Sequence, residues 1–208
     1  KVEAGSDLLE EGDWKKAARM WRDKDMQFKA DEVRTGVDRT GKLVACDHEG
    51  VGSDILILGK ALGGVIYPVS AVLADDDSML CIRPGEHGST FGGNPVAART
   101  SIAALEVIRD EKLTENAEEL GKVFRDRMRA IKSDMIQEVR GKGLLNAVVI
   151  KPRNGKEAWD VCLKMRDNGV LAKPTHGHII RFAPPLTITR EDLLDACALI
   201  EKSLMEME

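Results

Sequence analysis

DILILGKALGG, residues 54–64, is the stretch on which the reading of the fold turns. Ile55 to Leu58 make a short continuous apolar run, and a Gly-rich turn follows, then a second run, IYPVSAVLA at 66–74. Short apolar runs bounded by turn residues read as strands, and runs of this kind suit a sheet covered on both faces. Lys60 stands directly after the first run and before the turn. Asn94-Pro95 then supplies a helix start, an N-cap followed by proline at the first helical position, and leads into VAARTSIAALEVIRD.

From Thr114 the rhythm changes to long amphipathic helices alternating with short strands. Ala117, Leu120, Phe124, Met128 and Ile131 fall at helical spacing with charges between them. LLNAVVI at 144–150 reads as a strand. A helix over about Glu157 to Asn168 buries Ala158, Val161, Cys162 and Met165 and stops at Gly169. HIIRF at 178–182 is another strand, and Thr189 caps a last helix carrying Leu193, Cys197, Ile200 and Leu204 on one stripe. Two α/β pieces are therefore expected, meeting near residue 110. The first 30 residues stand apart as a divergent leader: Asp13 would cap a helix with Trp14, Ala18 and Trp21 on one face, but Gln27 and Lys29 sit awkwardly in a would-be strand.

Composition narrows the function. The chain of 208 residues carries 31 basic against 35 acidic side chains, a net charge of −4, with the basic ones scattered among the acidic. A nucleic-acid binder should show a clustered positive face, so none is expected. The longest apolar stretch, Val65 to Ala74, is broken by Tyr67, Pro68 and Ser70 and falls short of the roughly 20 residues of a membrane span. The opening KVEAGSDLLEEGDW is acidic and resembles neither a secretory signal nor a transit peptide. Cys46, Cys81, Cys162 and Cys197 form no CxxC and read as reduced intracellular thiols. His87, His176 and His178 lack a supporting carboxylate or cysteine cluster, so no metal site is expected. The acidic pairs at 10–11, 118–119 and 191–192 belong to solvated helix faces or first turns.

Lys60 is the residue with chemistry. A lysine held at a strand end among apolar neighbours would have its charge desolvated, leaving the free amine available as a nucleophile toward a carbonyl; a lysine snorkelling out of a loop is the plainer alternative. Five ordered blocks bear on the choice: DEVRTGVDRTG (31–41), DILILGKALGG (54–64), PGEHGSTFGGNP (84–95), RGKGLLNAVVI (140–150) and LAKPTHGHIIRFAPPL (171–186). Together they resemble the class III pyridoxal-phosphate aminotransferases, within which the ornithine aminotransferase group is the nearest likeness.

That resemblance implies an incomplete type I PLP-transferase fold, α/β in class: a remnant of the large-domain parallel-type sheet over 31–110 and the small C-terminal α/β domain over 111–208. It implies that Lys60 is the covalent attachment point of the cofactor and, when released, the catalytic base. Asp31 matches the acid that pairs with the pyridine nitrogen, and Val33 of the same DEV run belongs to the cofactor site. Thr90 matches the threonine whose hydroxyl binds the cofactor phosphate across a dimer interface. Arg181 matches the arginine whose planar fork holds a substrate carboxylate. The likeness further implies a homo-oligomer or an assembly with other chains, an amino-acid substrate, and a place in the mitochondrial matrix or cytosol.

The blocks begin at the DEV run, and the family's preceding portion carries the phosphate cup, the stacking ring and a second substrate arginine. The chain alone is therefore expected to be catalytically incomplete; the alternative is a non-catalytic, aminotransferase-derived docking subunit. Three local departures accompany this: Arg34 stands where the family usually has glutamine, Val65 replaces a glycine, and Lys29 intrudes on the strand that delivers Asp31.

Overall fold

The computed structural model describes residues 12–208. The acidic pair Glu10–Glu11, and most of the opening segment read for a targeting signal, lie outside the described residues. The chain divides into two compact units, one holding residues 12–38 and Lys42–Leu113, the other Arg39–Gly41 and Thr114–Glu208.

In the first unit, α1 (Asp13–Arg22) precedes β1 (Lys29–Asp31), β2 (Ile55–Leu58) and β3 (Ala71–Ala74), and the short α2 (Asp76–Met79) and long α3 (Pro95–Asp110) follow. β2 covers the apolar run residue for residue. The parallel pairing expected of this sheet joins β1 to β2, but β3 runs antiparallel, so the sheet is mixed, in the order β1-β2-β3. Its covering is also thinner than expected, because β2 is half-buried along its length. One small core forms where Ala18, Phe28, Ala30, Val44, Cys46 and Val51 meet Trp14, Trp21, Leu56 and Leu58. Phe28 stacks on Trp21 with ring centroids 4.8 Å apart. Lys29 points out of β1, where burial alternates exposed, buried, exposed, so it burdens nothing. The cap of α1 is Gly12, at φ 88°, and not Asp13; Asp13 is instead the first helical residue, where its charge still complements the helix dipole.

The α3 start is as read: the Asn94 side chain accepts a hydrogen bond from Ala97 N at 2.8 Å, and Pro95 takes the first helical position. The outer surface of this unit is unusually apolar. Val65 and Ile66 are 96% and 85% exposed, and Leu80, Phe91, Val96 and Ile102 are also open to solvent.

The second unit is better sealed. It comprises α4 (Leu113–Ala130), β4 (Ile136–Lys142), β5 (Leu145–Ile150), α5 (Ala158–Asp167), β6 (Lys173–Thr175), β7 (Ile179–Phe182) and α6 (Arg190–Met205), with the helix start Leu113 at the unit boundary. Its sheet is antiparallel throughout, in the order β4-β5-β7-β6. Every helical stripe read from the sequence after Thr114 enters one core, from Ala117 and Phe124 of α4 through Val161 and Met165 of α5 to Leu193 and Leu204 of α6. β5 is buried on both faces: Val148 and Ile150 face that core, and Ala147 and Val149 join Ile179 in a second, smaller cluster. Thr189 caps α6 by accepting from Asp192 N at 3.1 Å, and Gly169 ends α5 at φ 101°.

Three glycines let three backbone segments stack in this unit. A Cβ on Gly121 of α4 would stand 1.8 Å from the Gly143 carbonyl oxygen, and one on Gly143 would stand 2.3 Å from the Thr40 carbonyl carbon. A Cβ on Gly41 would in turn meet the Glu118 side chain at 2.5 Å. Beside the stack, the Arg125 guanidinium donates to Gly143 O at 3.0 Å and to Asn146 Oδ1 at 2.8 Å.

Candidate active site

Parallel pairing sets the site. Lys29, Ala30 and Asp31 lie opposite Ile55, Leu56 and Ile57, and Glu32 N donates to Ile57 O at 2.9 Å, so β1 and β2 end side by side. Asp31 closes β1, and Lys60 stands two residues past the end of β2. Ligands of open α/β sheets gather at the C-terminal ends of such strands. A Cβ on Gly59 would meet the Val33 methyls at 3.3 and 3.6 Å, which places Val33 against the residue that precedes Lys60.

Lys60 opens a tight turn, Lys60–Gly63, that packs against α3. Its backbone is left-handed, φ 47°, as are those of Gly64 at 58° and Val65 at 64°. A β-branched residue pays a steric cost there that glycine escapes, and Val65, projecting into solvent, makes little packing in return. The apolar enclosure expected around Lys60 is absent: its side chain is exposed, although Leu62 and Gly63 of the turn are buried, and β2 ahead of it is only half-buried. Asp31 is also exposed, and its Oδ1 accepts from Val33 N at 3.2 Å, which fixes the DEV run as it leaves the strand.

Thr90 lies in the exposed loop 80–93. There Gly92 N donates to Ser89 Oγ at 2.8 Å and Asn94 Nδ2 donates to Phe91 O at 2.7 Å. Arg34 is half-buried in the turn after the DEV run. In the second unit, Arg181 is half-buried on β7, opposite Ala147 of β5 and Lys173 of β6. His87, His176 and His178 are exposed, and among the described residues no three metal-ligating side chains converge.

One buried acid beside the site went unread. Glu32 is 3% exposed; it accepts from Cys46 N at 3.1 Å and from the Thr35 hydroxyl. It thereby ties the turn after Asp31 to the short helical turn at 45–48. Burial first, and the Glu32 carboxylate second, push the Cys46 thiol up to about 12. The only sequence signal was adjacency: next to an exposed Asp31, period-2 alternation turns Glu32 inward.

A carboxylate and a primary amine at the neighbouring ends of two parallel strands, on an α/β framework, define a class, and comparison with known families names it. The class III aminotransferase family matches residues 1–204, starting ahead of the five sequence blocks, and the chain belongs to that family. Among curated relatives it is similar to the ornithine aminotransferase of Schizosaccharomyces pombe, 54% identical over 207 residues, which span 99% of this chain and 47% of the relative. Among solved structures it resembles the acetylornithine aminotransferase of Elizabethkingia anophelis, with a TM-score of 0.95 and 54% identity over 99% of this chain and 52% of that one. It also resembles the ornithine aminotransferase of Toxoplasma gondii, described with partial occupancy of PLP at its active site: TM-score 0.94, 44% identity, 98% of this chain and 49% of that one. The fold is that of the type I PLP aminotransferases, and the chain spans about half the length of these relatives.

The family depends on pyridoxal phosphate. The donor set on this chain suits that group: an amine for its aldehyde, a carboxylate for its ring nitrogen, a hydroxyl for its phosphate. No helix among the described residues is long and apolar enough to cross a membrane.

Proposed function

We propose that this chain carries the lysine-bearing part of a pyridoxal-phosphate-dependent aminotransferase that moves the terminal amino group of ornithine to 2-oxoglutarate. The carrying observation is the placement of Asp31 and Lys60 at adjacent ends of the parallel pair β1 and β2. When bound, the cofactor supplies an electron sink for the carbon that loses its proton. Lys60 Nζ offers the attachment point and, once released, takes that proton and returns it. The Asp31 carboxylate keeps the ring nitrogen protonated by charge and hydrogen bonding. Val33 offers an apolar wall, Thr90 a hydroxyl for the phosphate, and Arg181 two parallel donors for a substrate carboxylate.

The exposure of Lys60 and Thr90 says what else the reading needs. A catalytic amine should work in a closed site, so the remaining walls come from further polypeptide: the portion that relatives twice as long possess, and a neighbouring subunit at Thr90. In the proposal the assembly is at least a dimer and works inside the cell. A second reading, a docking subunit without catalysis, draws support from the exposed Val65, Ile66, Leu80 and Phe91.

One spectroscopic experiment separates the two. The 208-residue chain is mixed with pyridoxal phosphate, alone and with a polypeptide carrying the other half of a family member, then reduced with borohydride and mapped by mass. The catalytic reading expects a visible absorption band and cofactor mass on Lys60 only in the mixture, with ornithine bleaching the band. No label on Lys60 in an assembled mixture would refute it and leave the docking reading standing. A response to N-acetylornithine in place of ornithine would move the substrate assignment and keep the chemistry.

A further inference from the structure

We propose that Arg39 is a positioning residue for Arg181: it completes the β5–β7 ladder at the point where Pro184 cannot. This rests on the reading of Arg181 as the carboxylate-binding residue. The two strands pair from Val149 opposite Ile179 to Asn146 opposite Phe182. Continued by two residues, the same register sets Leu144 opposite Pro184. Pro184 has no N–H, and neither does Pro185, so the strand that carries Arg181 loses its ladder donors from the third residue downstream of it.

Arg39 fills the gap from both its backbone and its side chain. Its carbonyl accepts from Leu144 N at 3.1 Å. Its Nη1 donates to Pro184 O at 2.5 Å and to Leu144 O at 3.3 Å. One residue therefore holds the start of β5 and the end of β7 together, three residues past Arg181 and three before Ala147, the register partner of Arg181. The guanidinium is half-buried, which weakens competition from water for these carbonyls, and this desolvation also lowers its pKa from the ordinary value. The glycine stack keeps the pin in place, since Thr40 and Gly41 are pressed against Gly143. Further along, Asn116 Nδ2 donates to Leu186 O at 2.8 Å and Ile188 O at 3.1 Å, so residues beyond Pro185 are tied separately. Arg39 ties the Pro184 end of the strand to β5, while β6, with Lys173 opposite Arg181, lies along its other side.

A side chain that binds a planar carboxylate with two parallel bonds needs its strand fixed to within a fraction of an ångström. Loss of the pin should therefore loosen Arg181 before it loosens the sheet. The test uses the 208-residue chain with Arg39→Met and Arg39→Lys, read by NMR of the arginine Nε–Hε groups and by amide exchange. The Arg181 signal is assigned by its loss in Arg181→Lys. In Arg39→Met, the Arg181 side-chain order parameter should fall below about 0.6, and exchange at Phe182 should rise about tenfold or more. Val148, Val149 and Ile180 should keep their protection. Arg39→Lys retains one cationic donor and should recover part of the order, and it decides the matter if the Met variant does not fold.

Unchanged order at Arg181 would overturn the proposal, and so would a uniform loss of protection across β5 and β7, which would make Arg39 a general structural residue. The carboxylate reading fails separately. If, in the chain assembled with its other half, glutarate leaves the wild-type Arg181 signal unmoved, that reading falls while the positioning result stands.

Discussion

Replacing Gly121 with alanine should destabilise the second unit although it places a better helix former in the middle of α4. In an exposed helix interior the change would stabilise by about 1 kcal/mol. Here the new Cβ would stand 1.8 Å from the Gly143 carbonyl oxygen and 2.3 Å from its carbonyl carbon, against an ordinary contact near 3.4 Å. Relief requires a backbone shift of more than an ångström, and Gly143 cannot retreat, because the Thr40 and Gly41 backbone fills the space behind it. Overpacking of well-filled sites costs about 1–3 kcal/mol, and a contact with no flexible side chain to yield belongs at the upper end. Set against the helix gain, the net loss is about 2 kcal/mol. Amide exchange over β5 should accelerate about thirtyfold, while peptides from β2 and α1 stay as they were. The matched control is Gly52→Ala, where a Cβ meets nothing within 4 Å; it should be neutral or mildly stabilising. Gly121→Ala at or above wild-type stability would refute the close approach of α4 to the β4–β5 turn.

Two more changes follow from the same kind of reasoning. Val65→Gly should stabilise the first unit by about 1 kcal/mol, since it removes left-handed strain at φ 64° and gives up a side chain that is 96% exposed; an unchanged or lower urea midpoint would count against it. The thiols set an alkaline limit. Burial raises Cys162 and Cys197 to about 11, and burial with Glu32 raises Cys46 to about 12, against an ordinary value of 9.0. Between pH 9 and 11 the unfolded chain releases these protons and the folded chain keeps them. Stability should therefore fall as pH rises, by up to about 1.4 kcal/mol per thiol per unit. Cys162→Ala should flatten that slope by one thiol's share, and an identical slope in the variant would refute the assignment.

Local pattern carried much of this fold. ILIL, Asn94-Pro95, Gly169 and Thr189 each declare an element or its end through chain chemistry that acts within four residues, and the helical stripes of α4, α5 and α6 did the rest. β4 was not read, because IQEVRGK is polar on both faces: it lies at the sheet edge, where Glu138 and Arg140 pair across 2.8 Å. The contacts that lock the second unit were invisible for another reason. Gly41, Gly121 and Gly143 are separated by 80 and 22 residues, and each looks like an ordinary turn or helix glycine until the backbones meet. Arg39, Arg125 and Glu32 likewise owe their meaning to partners at a distance. At the site, the strand ends that present Asp31 and Lys60 followed from the apolar runs and the resemblance together. The openness around Lys60 did not, since a sequence shows which residues are apolar and not whether they have enough neighbours to bury one another.

The uneven finish of the two units has a consequence for how the protein can be handled. A polypeptide showing Val65, Ile66, Leu80 and Phe91 to water offers chaperones and its own copies a sticky surface from the moment it leaves the ribosome, whereas the region after residue 114 hides most of its oily residues internally, Trp159, Leu171 and Met205 being the large ones left outside. Limited proteolysis should therefore nick the 80–93 loop early and leave a durable core from the later region. Yield on overexpression should track protein concentration and the supply of a companion polypeptide more closely than temperature.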